Sequence, residues 1–402
     1  MKEFTLNNKI ESVYKQNKNT PRMAFTLNIA INNPEKYAGT YSLMNRLLLQ
    51  GTKKYSNTEL AKVLDENAIE LCTDMKQDYL RFRFVCLNED FKLAMEILDE
   101  IINNSTFEEF DKEKEKMRGE IIADLDSART KVSDAFIKTI YENHYYGNTY
   151  TSMLDSLDKI TKEDVIDSYN KILKEGKKVA AVVGSLEFPE IESLLESTIG
   201  KLENNYSTEK SVTKPELTSA KRTDVIKEDA KQAQIFQGWL VPNFRDKDYP
   251  VLAVINTILG ASGLSSRLFL ELRDKKGLAY TVRTSCEAKD LSAVFSIYIA
   301  TEPSNIDVSL AGFKEEVDKI KTIPVGAEEL ENAKNNIIGK QQFISETNLQ
   351  QATALAYYGI MGLGFDFREK IIEKVKAVTS EQILECANKY FTDKSVVAVL
   401  HP

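Results

Sequence analysis

The chain has 402 residues, 42% of them apolar and 28% charged, with a formal net charge of −8. That length exceeds one ordinary core and calls for two domains or a duplicated one. The acidic balance, with no extended Lys/Arg stripe interleaved with aromatics, argues against a nucleic-acid binder, and no apolar run approaches the roughly 20 residues that cross a bilayer. In chain order, the opening MKEFTLNNKIESVYK lacks the apolar core of a secretory signal, so a cytoplasmic location is expected. Residues 24–31 then alternate as a strand and lead into an apolar helix over 41–50, closed by Gly51. A strand at 79–87 and a long charged helix near 107–126 follow. Residues 161–184, TKEDVIDSYNKILKEGKKVAAVVG, start with a Thr-led capping pattern, continue at helical spacing and finish in a β-branched run, which predicts a helix and then a buried strand.

Residues 202–222 are polar and aperiodic and read as a linker; these 21 residues span roughly 70 Å when extended, enough for two halves to face each other as a hinged pair. The order then repeats, with a strand at 233–240, an apolar helix at 249–259 closed by Gly260, a strand at 293–300, a charged helix at 327–344, and a last helix-strand unit at 379–402. Thr161 pairs with Thr379, Glu163 with Glu381, Asn170 with Asn388 and Lys171 with Lys389, at a constant offset of 379 − 161 = 218. The reading is an α+β chain of two homologous halves, 1–201 and 223–402, each a mainly antiparallel sheet with helices on one face. Cys72, Cys86, Cys286 and Cys386 are scattered without CxxC spacing, which argues for reduced thiols rather than a disulfide framework or a cysteine zinc site.

One run between these elements carries more chemistry than the rest: residues 260–280, GASGLSSRLFLELRDKKGLAY. Leu268, Phe269 and Leu272 recur at helical period and Gly277 can end the helix, so Arg273 and Tyr280 project from a helix end and from the strand after it. With the duplication, this run resembles the insulinase, pitrilysin and mitochondrial processing peptidase group of zinc peptidases, whose second half carries Ser-Arg-Leu, Leu-Arg and Gly-Leu-x-Tyr. The matching positions are Ser266, Arg267, Leu268, Leu272, Arg273, Gly277, Leu278 and Tyr280. The resemblance implies that the two homologous halves are arranged as a hinged clamshell half, with Arg273 and Tyr280 gripping substrate and Ser266 and Arg267 in the same substrate-binding segment. In the strand that lies beside substrate in the first half, Cys72 and Thr73 stand where the family usually has Asn-Ala.

Active members of that group place His-x-x-Glu-His on the first helix, followed by Gly-Thr; two imidazoles bind zinc and the Glu activates water. Gly51-Thr52 matches the flank, but Ser42, Leu43, Met44, Asn45 and Arg46 occupy the motif. The chain has two histidines, His144 and His401, so no two-His-plus-Glu set can be assembled, and His144 reads as a packed or surface residue. Glu120 matches the third zinc ligand, and Arg46 is expected to meet it across the former site, a guanidinium neutralising a stranded carboxylate. The resemblance therefore implies no metal or cofactor on this chain and zinc on a homologous partner subunit that bears HxxEH. The leading expectation is a non-catalytic subunit of a heterodimeric zinc-dependent peptidase of unfolded peptides, supplying Arg273 and Tyr280 in trans to peptide substrate and transition state. A homodimer is the alternative assembly of the isolated chain. The second reading is an inactive structural or peptide-binding scaffold of the same fold, and the third, a peptidase using another metal set, finds no ligands here.

Overall fold

The computed structural model describes residues 1–206 and 212–402; residues 207–211, within the expected linker, lie outside the described residues. The first sheet holds β1 (Lys2–Thr5), β2 (Glu11–Gln16), β3 (Arg22–Ala30), β4 (Glu70–Met75), β5 (Tyr79–Leu87) and β6 (Lys178–Gly184), in the order β1-β2-β6-β3-β5-β4. The second holds β7 (Lys221–Ile226), β8 (Ala233–Val241), β9 (Thr281–Ala288), β10 (Ala293–Thr301) and β11 (Val396–His401), in the order β7-β11-β8-β10-β9. Leaving β1 aside, the two orders are the same. Each has one parallel pair, β2 with β6 and β7 with β11, among antiparallel neighbours. The duplication read from the sequence is thus the architecture of the molecule.

The compact units are not the contiguous stretches 1–201 and 223–402. One unit comprises Met1–Gly119, Ser152–Val212 and Gln342–Phe367, and the other Glu120–Thr151, Thr213–Gln341 and Arg368–Pro402. Each half lends one segment to the other's sheet. The physical reason lies in the strands: β6 is buried along its whole length and β3 along all but its ends, so these sheets need cover on both faces.

In the first unit one face packs on the helix Phe91–Asn104, with Phe25 stacked on Phe84 at 5.3 Å and Phe84 against Phe91 at 5.7 Å. The other face is covered by the lent helix Asn348–Ile360, whose Ala352, Leu355 and Ala356 meet Val13, Ala24, Val179, Ala181 and Val183. Asn348 pins the start of that helix to the sheet, accepting from Asn17 Nδ2 at 2.7 Å and donating to the Arg22 carbonyl at 2.9 Å.

In the second unit the helices Tyr249–Asn256, Ile306–Thr322 and Ser380–Tyr390 pack on one face, around Trp239, Phe295 and Phe391. The lent helix Ala128–Ile140 covers the other, setting Val132, Phe136 and Ile140 against Val294, Val396, Ala398 and Leu400. Gly238, in the middle of β8, makes that approach possible: a Cβ there would lie 2.6 Å from Phe136 Cζ.

Some local signals resolve differently from their sequence reading. Thr161 and Thr379 do cap their helices, but their reciprocal partners are Asp164 and Gln382 rather than the adjacent Glu163 and Glu381. Gly260 does not end a helix. It sits inside a π-helical stretch, Thr257–Ala261, and is needed for close approach, since a Cβ would lie 2.5 Å from the Thr284 amide nitrogen on β9. His144 is packed: its Nδ1 accepts from the Tyr146 amide at 3.1 Å, so Nε2 carries the hydrogen and donates to the Thr213 carbonyl at 3.2 Å. Among the described residues no helix is long and apolar enough to cross a membrane.

Residues 1–201 made alone would leave Val13, Ala24, Val179, Ala181 and Val183 uncovered. That fragment is expected to aggregate or to melt without cooperativity, while co-expression with 212–402 yields a soluble complex; size-exclusion chromatography and circular dichroism distinguish the outcomes. Burial first, and then nearby Lys289, lower the His144 pKa below its ordinary value, so the fold favours the neutral ring. Its contribution is present above about pH 6.5 and is lost as pH falls through the depressed folded value. Melting curves from pH 7.5 to 5 should show a smaller loss of stability for His144→Gln than for the wild type.

Candidate functional site

Apart from Glu120, the two groups of residues singled out by sequence lie one in each unit. In the first, the helix Thr40–Leu47 is started by Glu35, whose carboxylate accepts from the Gly39 and Tyr41 amides at 3.1 and 2.9 Å. Leu43, Met44 and Leu47 point into the core. Ser42, Asn45 and Arg46, at i, i+3 and i+4, share the half-buried face on which a zinc motif would project. None of the three offers imidazole or carboxylate. Arg46 Nη1 instead lies 3.8 Å from Glu113 Oε2 on the helix Phe110–Leu125, and Glu113 is almost fully buried. A fixed guanidinium at the position of a second zinc ligand repels a divalent cation, so these residues do not fit zinc. Among the described residues no group of three or more His, Cys, Asp or Glu side chains is placed to hold a metal.

Glu113 is the residue the sequence reading missed. It stands seven positions before Glu120, two helical turns back on the same face, and that spacing was the available signal. Glu120 belongs to the other compact unit. Thr73 also gains a structural role, its Oγ1 donating to the Asn45 carbonyl at 3.4 Å while Asn45 Nδ2 donates to the Thr73 carbonyl at 3.4 Å. These weak bonds tie the helix to β4, the outer strand of its sheet, where Cys72 is exposed.

In the second unit, Phe269–Lys275 is helical as expected, but with π geometry rather than α. The wider turn sets the Arg273 guanidinium 4.6 Å above the Phe269 ring. Gly277 at φ 65° reverses the chain, and the Leu278 carbonyl accepts from Thr301 Oγ1 at 2.7 Å, which fastens the turn to β10. Tyr280 then emerges at 83% exposure immediately before β9, the outer strand of the second sheet. Ser266 and Arg267 are placed differently. Ser266 is fully buried with its hydroxyl on the Gly263 carbonyl at 2.7 Å, and Arg267 makes a two-pronged pair with Glu329, both contacts at 2.7 Å. They brace the segment, while Arg273 and Tyr280 are the groups it presents.

Two family models match the chain in succession: Insulinase (Peptidase family M16) over residues 12–155 and Peptidase M16 inactive domain over residues 159–337. The chain is 24% identical over 410 residues to an uncharacterized zinc protease, YmxG, of Bacillus subtilis, covering 100% of this chain and 98% of that protein. It is 23% identical over 351 residues to a non-peptidase homolog of Helicobacter pylori, covering 86% and 80%, and 25% identical over 391 residues to a probable inactive metalloprotease, YmfF, of Bacillus subtilis, covering 88% and 87%. A crystal structure of a protease from Helicobacter pylori shares the fold with a TM-score of 0.91 at 20% identity, covering 100% of this chain and 99% of that one. A peptidase M16 inactive domain from Pseudomonas fluorescens does so with 0.90 at 20% identity, covering 100% and 97%. With both halves of the duplication matched in order, an Arg and Tyr segment in the second and a first helix that carries no HxxEH in the first, the chain belongs to the M16 (insulinase) family of peptidases and lacks its zinc motif.

Proposed function

We propose that the chain is the non-catalytic subunit of a heterodimeric M16 peptidase, closing over an HxxEH-bearing homologue and presenting Arg273 and Tyr280 to extended peptide substrates. The observation that carries this reading is the contrast between its two groups of residues. The zinc helix is refilled with Ser42, Asn45 and Arg46, whereas Tyr280 is left 83% exposed and Arg273 has an aromatic ring rather than a carboxylate as its partner. A packed relic would bury its phenol, and a solvated surface arginine would not need a ring beneath it. Arg273 would donate to substrate carbonyls, and the Tyr280 phenol would donate to the oxyanion that develops as the peptide bond is attacked. The outer strand β4 would pair with the backbone of an extended peptide, a mode that tolerates Cys72 and Thr73 in place of Asn-Ala. The free thiols Cys72, Cys86, Cys286 and Cys386 accord with a reducing, cytoplasmic setting.

We further infer that Arg46 occupies the charge position of the lost metal, balancing Glu113. The competing reading, an inactive scaffold, is favoured by the names of the relatives called non-peptidase homolog and probable inactive metalloprotease. It differs in one respect: under it, Arg273 and Tyr280 have no effect on any peptidase.

Mixed with an HxxEH-bearing homologue from the same cell, the chain should raise chelator-sensitive peptide cleavage. Tyr280→Phe should then lower kcat by about 10²-fold, the usual loss of one oxyanion donor, with assembly intact by size-exclusion chromatography. Unchanged turnover in Arg273→Ala and Tyr280→Phe would favour the scaffold. Chelator-sensitive proteolysis by the purified chain alone would refute both readings. Arg46→Ala should cost about 1–3 kcal/mol by urea unfolding, because it leaves the buried Glu113 carboxylate with Lys116, at 3.9 Å, in place of two cations, and added zinc should not restore the loss.

A further inference from the structure

The internal duplication makes each unit a control for the other, and it isolates one difference in charge. Thr73 Oγ1 donates to the carbonyl of Asn45, and Thr284 Oγ1 donates to the carbonyl of Asn256 at 2.9 Å. Both bonds join the first helix of a half to its outer strand across 28 residues (73 − 45 and 284 − 256). Thr73 and Thr284 are therefore equivalent positions, and so are their neighbours Asp74 and Ser285. In the first unit Asp74 on β4 is shared by two arginines of β5, with Oδ2 at 2.8 Å from Arg83 Nε and 3.9 Å from Arg81 Nη1. The carboxylate of the chain itself thus offsets one of the two positive charges there.

In the second unit the same register puts Ser296 and Tyr298 at the positions of Arg81 and Arg83 and Ser285 at that of Asp74, and two guanidiniums from other positions, Arg283 and Arg129, come to the Tyr298 ring with no carboxylate at the place of Asp74. Arg283 of β9 stands directly across from Tyr298 of β10, and Ser285 across from Ser296, their hydroxyls 2.9 Å apart. Arg129, in the first turn of the lent helix Ala128–Ile140, reaches the same ring. The guanidinium carbons of Arg129 and Arg283 lie 5.1 and 5.4 Å from the Tyr298 ring centre. Among the described residues neither arginine takes part in an ion pair. Tyr298 is held from behind by Phe236 at 4.8 Å and by its hydroxyl on Gln234 Oε1 at 2.5 Å. These groups line a cavity of ≈ 350 Å³, whose remaining walls include Phe136, Val294 and one carboxylate, Glu287. Glu287 is four residues along β9 from Arg283 and opposite Val294, so it sits roughly 14 Å from the arginine end.

We propose that this cavity is a carboxylate-binding subsite for extended peptides, an acidic group of the ligand entering between Arg129 and Arg283 where Asp74 sits in the first unit. Two planar forks backed by one aromatic face suit bidentate recognition of a carboxylate, and the ring excludes water from one side of it. The carboxylate can come from an aspartate or glutamate side chain or from the C-terminus of the peptide. The inference rests on the reading that this chain holds peptides, but it does not need the catalytic partner.

Isothermal titration of the full chain with unlabelled decapeptides tests it directly. One peptide has blocked ends and a single central Glu, a second has Gln in its place, and a third has Gln and a free C-terminal carboxylate. The Glu peptide, the free-carboxylate peptide, or both should bind about 10-fold more tightly than the blocked Gln peptide, and which does so identifies the source of the acidic group. Arg129→Gln and Arg283→Gln should each remove most of that preference, with circular dichroism melting unchanged. Ser285→Asp, which rebuilds the internal carboxylate of the first unit, should abolish it as well. Equal affinity for all three peptides, no binding of any of them, or a preference that survives Arg283→Gln and Ser285→Asp would overturn the proposal. Because the titration omits the partner, failure of Arg273→Ala to affect assisted proteolysis would count against the subunit reading and leave this result standing.

Discussion

The fold depends on covering two-sided apolar sheets. β3 and β6 carry apolar residues toward both faces, as do β8, β10 and β11, and one row of helices can cover only one face. The second face of each sheet is closed by a single helix that arrives from the other half of the sequence. Burying a leucine-sized side chain stabilises by roughly 1.5–3 kcal/mol, so the apolar rows of Asn348–Ile360 and Ala128–Ile140 contribute an amount comparable to the net stability of many domains. The site residues inherit their positions from this arrangement. Arg129 reaches the Tyr298 ring only because its helix is the lent one.

Much of this was legible in the sequence, and for identifiable reasons. Strands such as KVAAVVG and VVAVLH announce themselves by β-branched runs, and Thr161 and Thr379 mark helix starts by a side chain that bonds backbone three residues on. The exchange of helices was not legible. Ala352, Leu355 and Ala356 show a helical apolar row, yet periodicity says nothing about which sheet that row meets, and the residues it covers lie some 170 to 340 positions earlier. The π geometry around Arg273 was hidden for a related reason. Leu268, Phe269 and Leu272 satisfy an α-helical spacing, and the widening depends on packing and on the turn at Gly277 rather than on any residue type.

The functional residues divide in the same way. The absence of HxxEH is a matter of residue identity and could be read outright from Ser42, Asn45 and Arg46. What replaced the metal depended on side-chain reach, which is why Glu113 went unread while Arg46 was singled out. Conversely, Ser266 and Arg267 belong to the motif by spacing, but a buried hydroxyl and a closed ion pair leave them little to offer a ligand. Duplication supplies the sharper instrument. Where the halves agree, as in the Asn45–Thr73 and Asn256–Thr284 ties, shared positions reflect the common scaffold; where they part, as at Asp74 and Ser285, the charge carried by equivalent strands differs.

The lent helix also sets a timetable for biosynthesis. The strands of the first sheet are complete once Gly184 has been made, but the helix that roofs them ends at Ile360. A ribosome adding roughly 5–20 residues per second needs about 10–35 s to traverse the 360 − 184 = 176 residues between these points, during which the exposed sheet is a target for chaperones or for a neighbouring nascent chain.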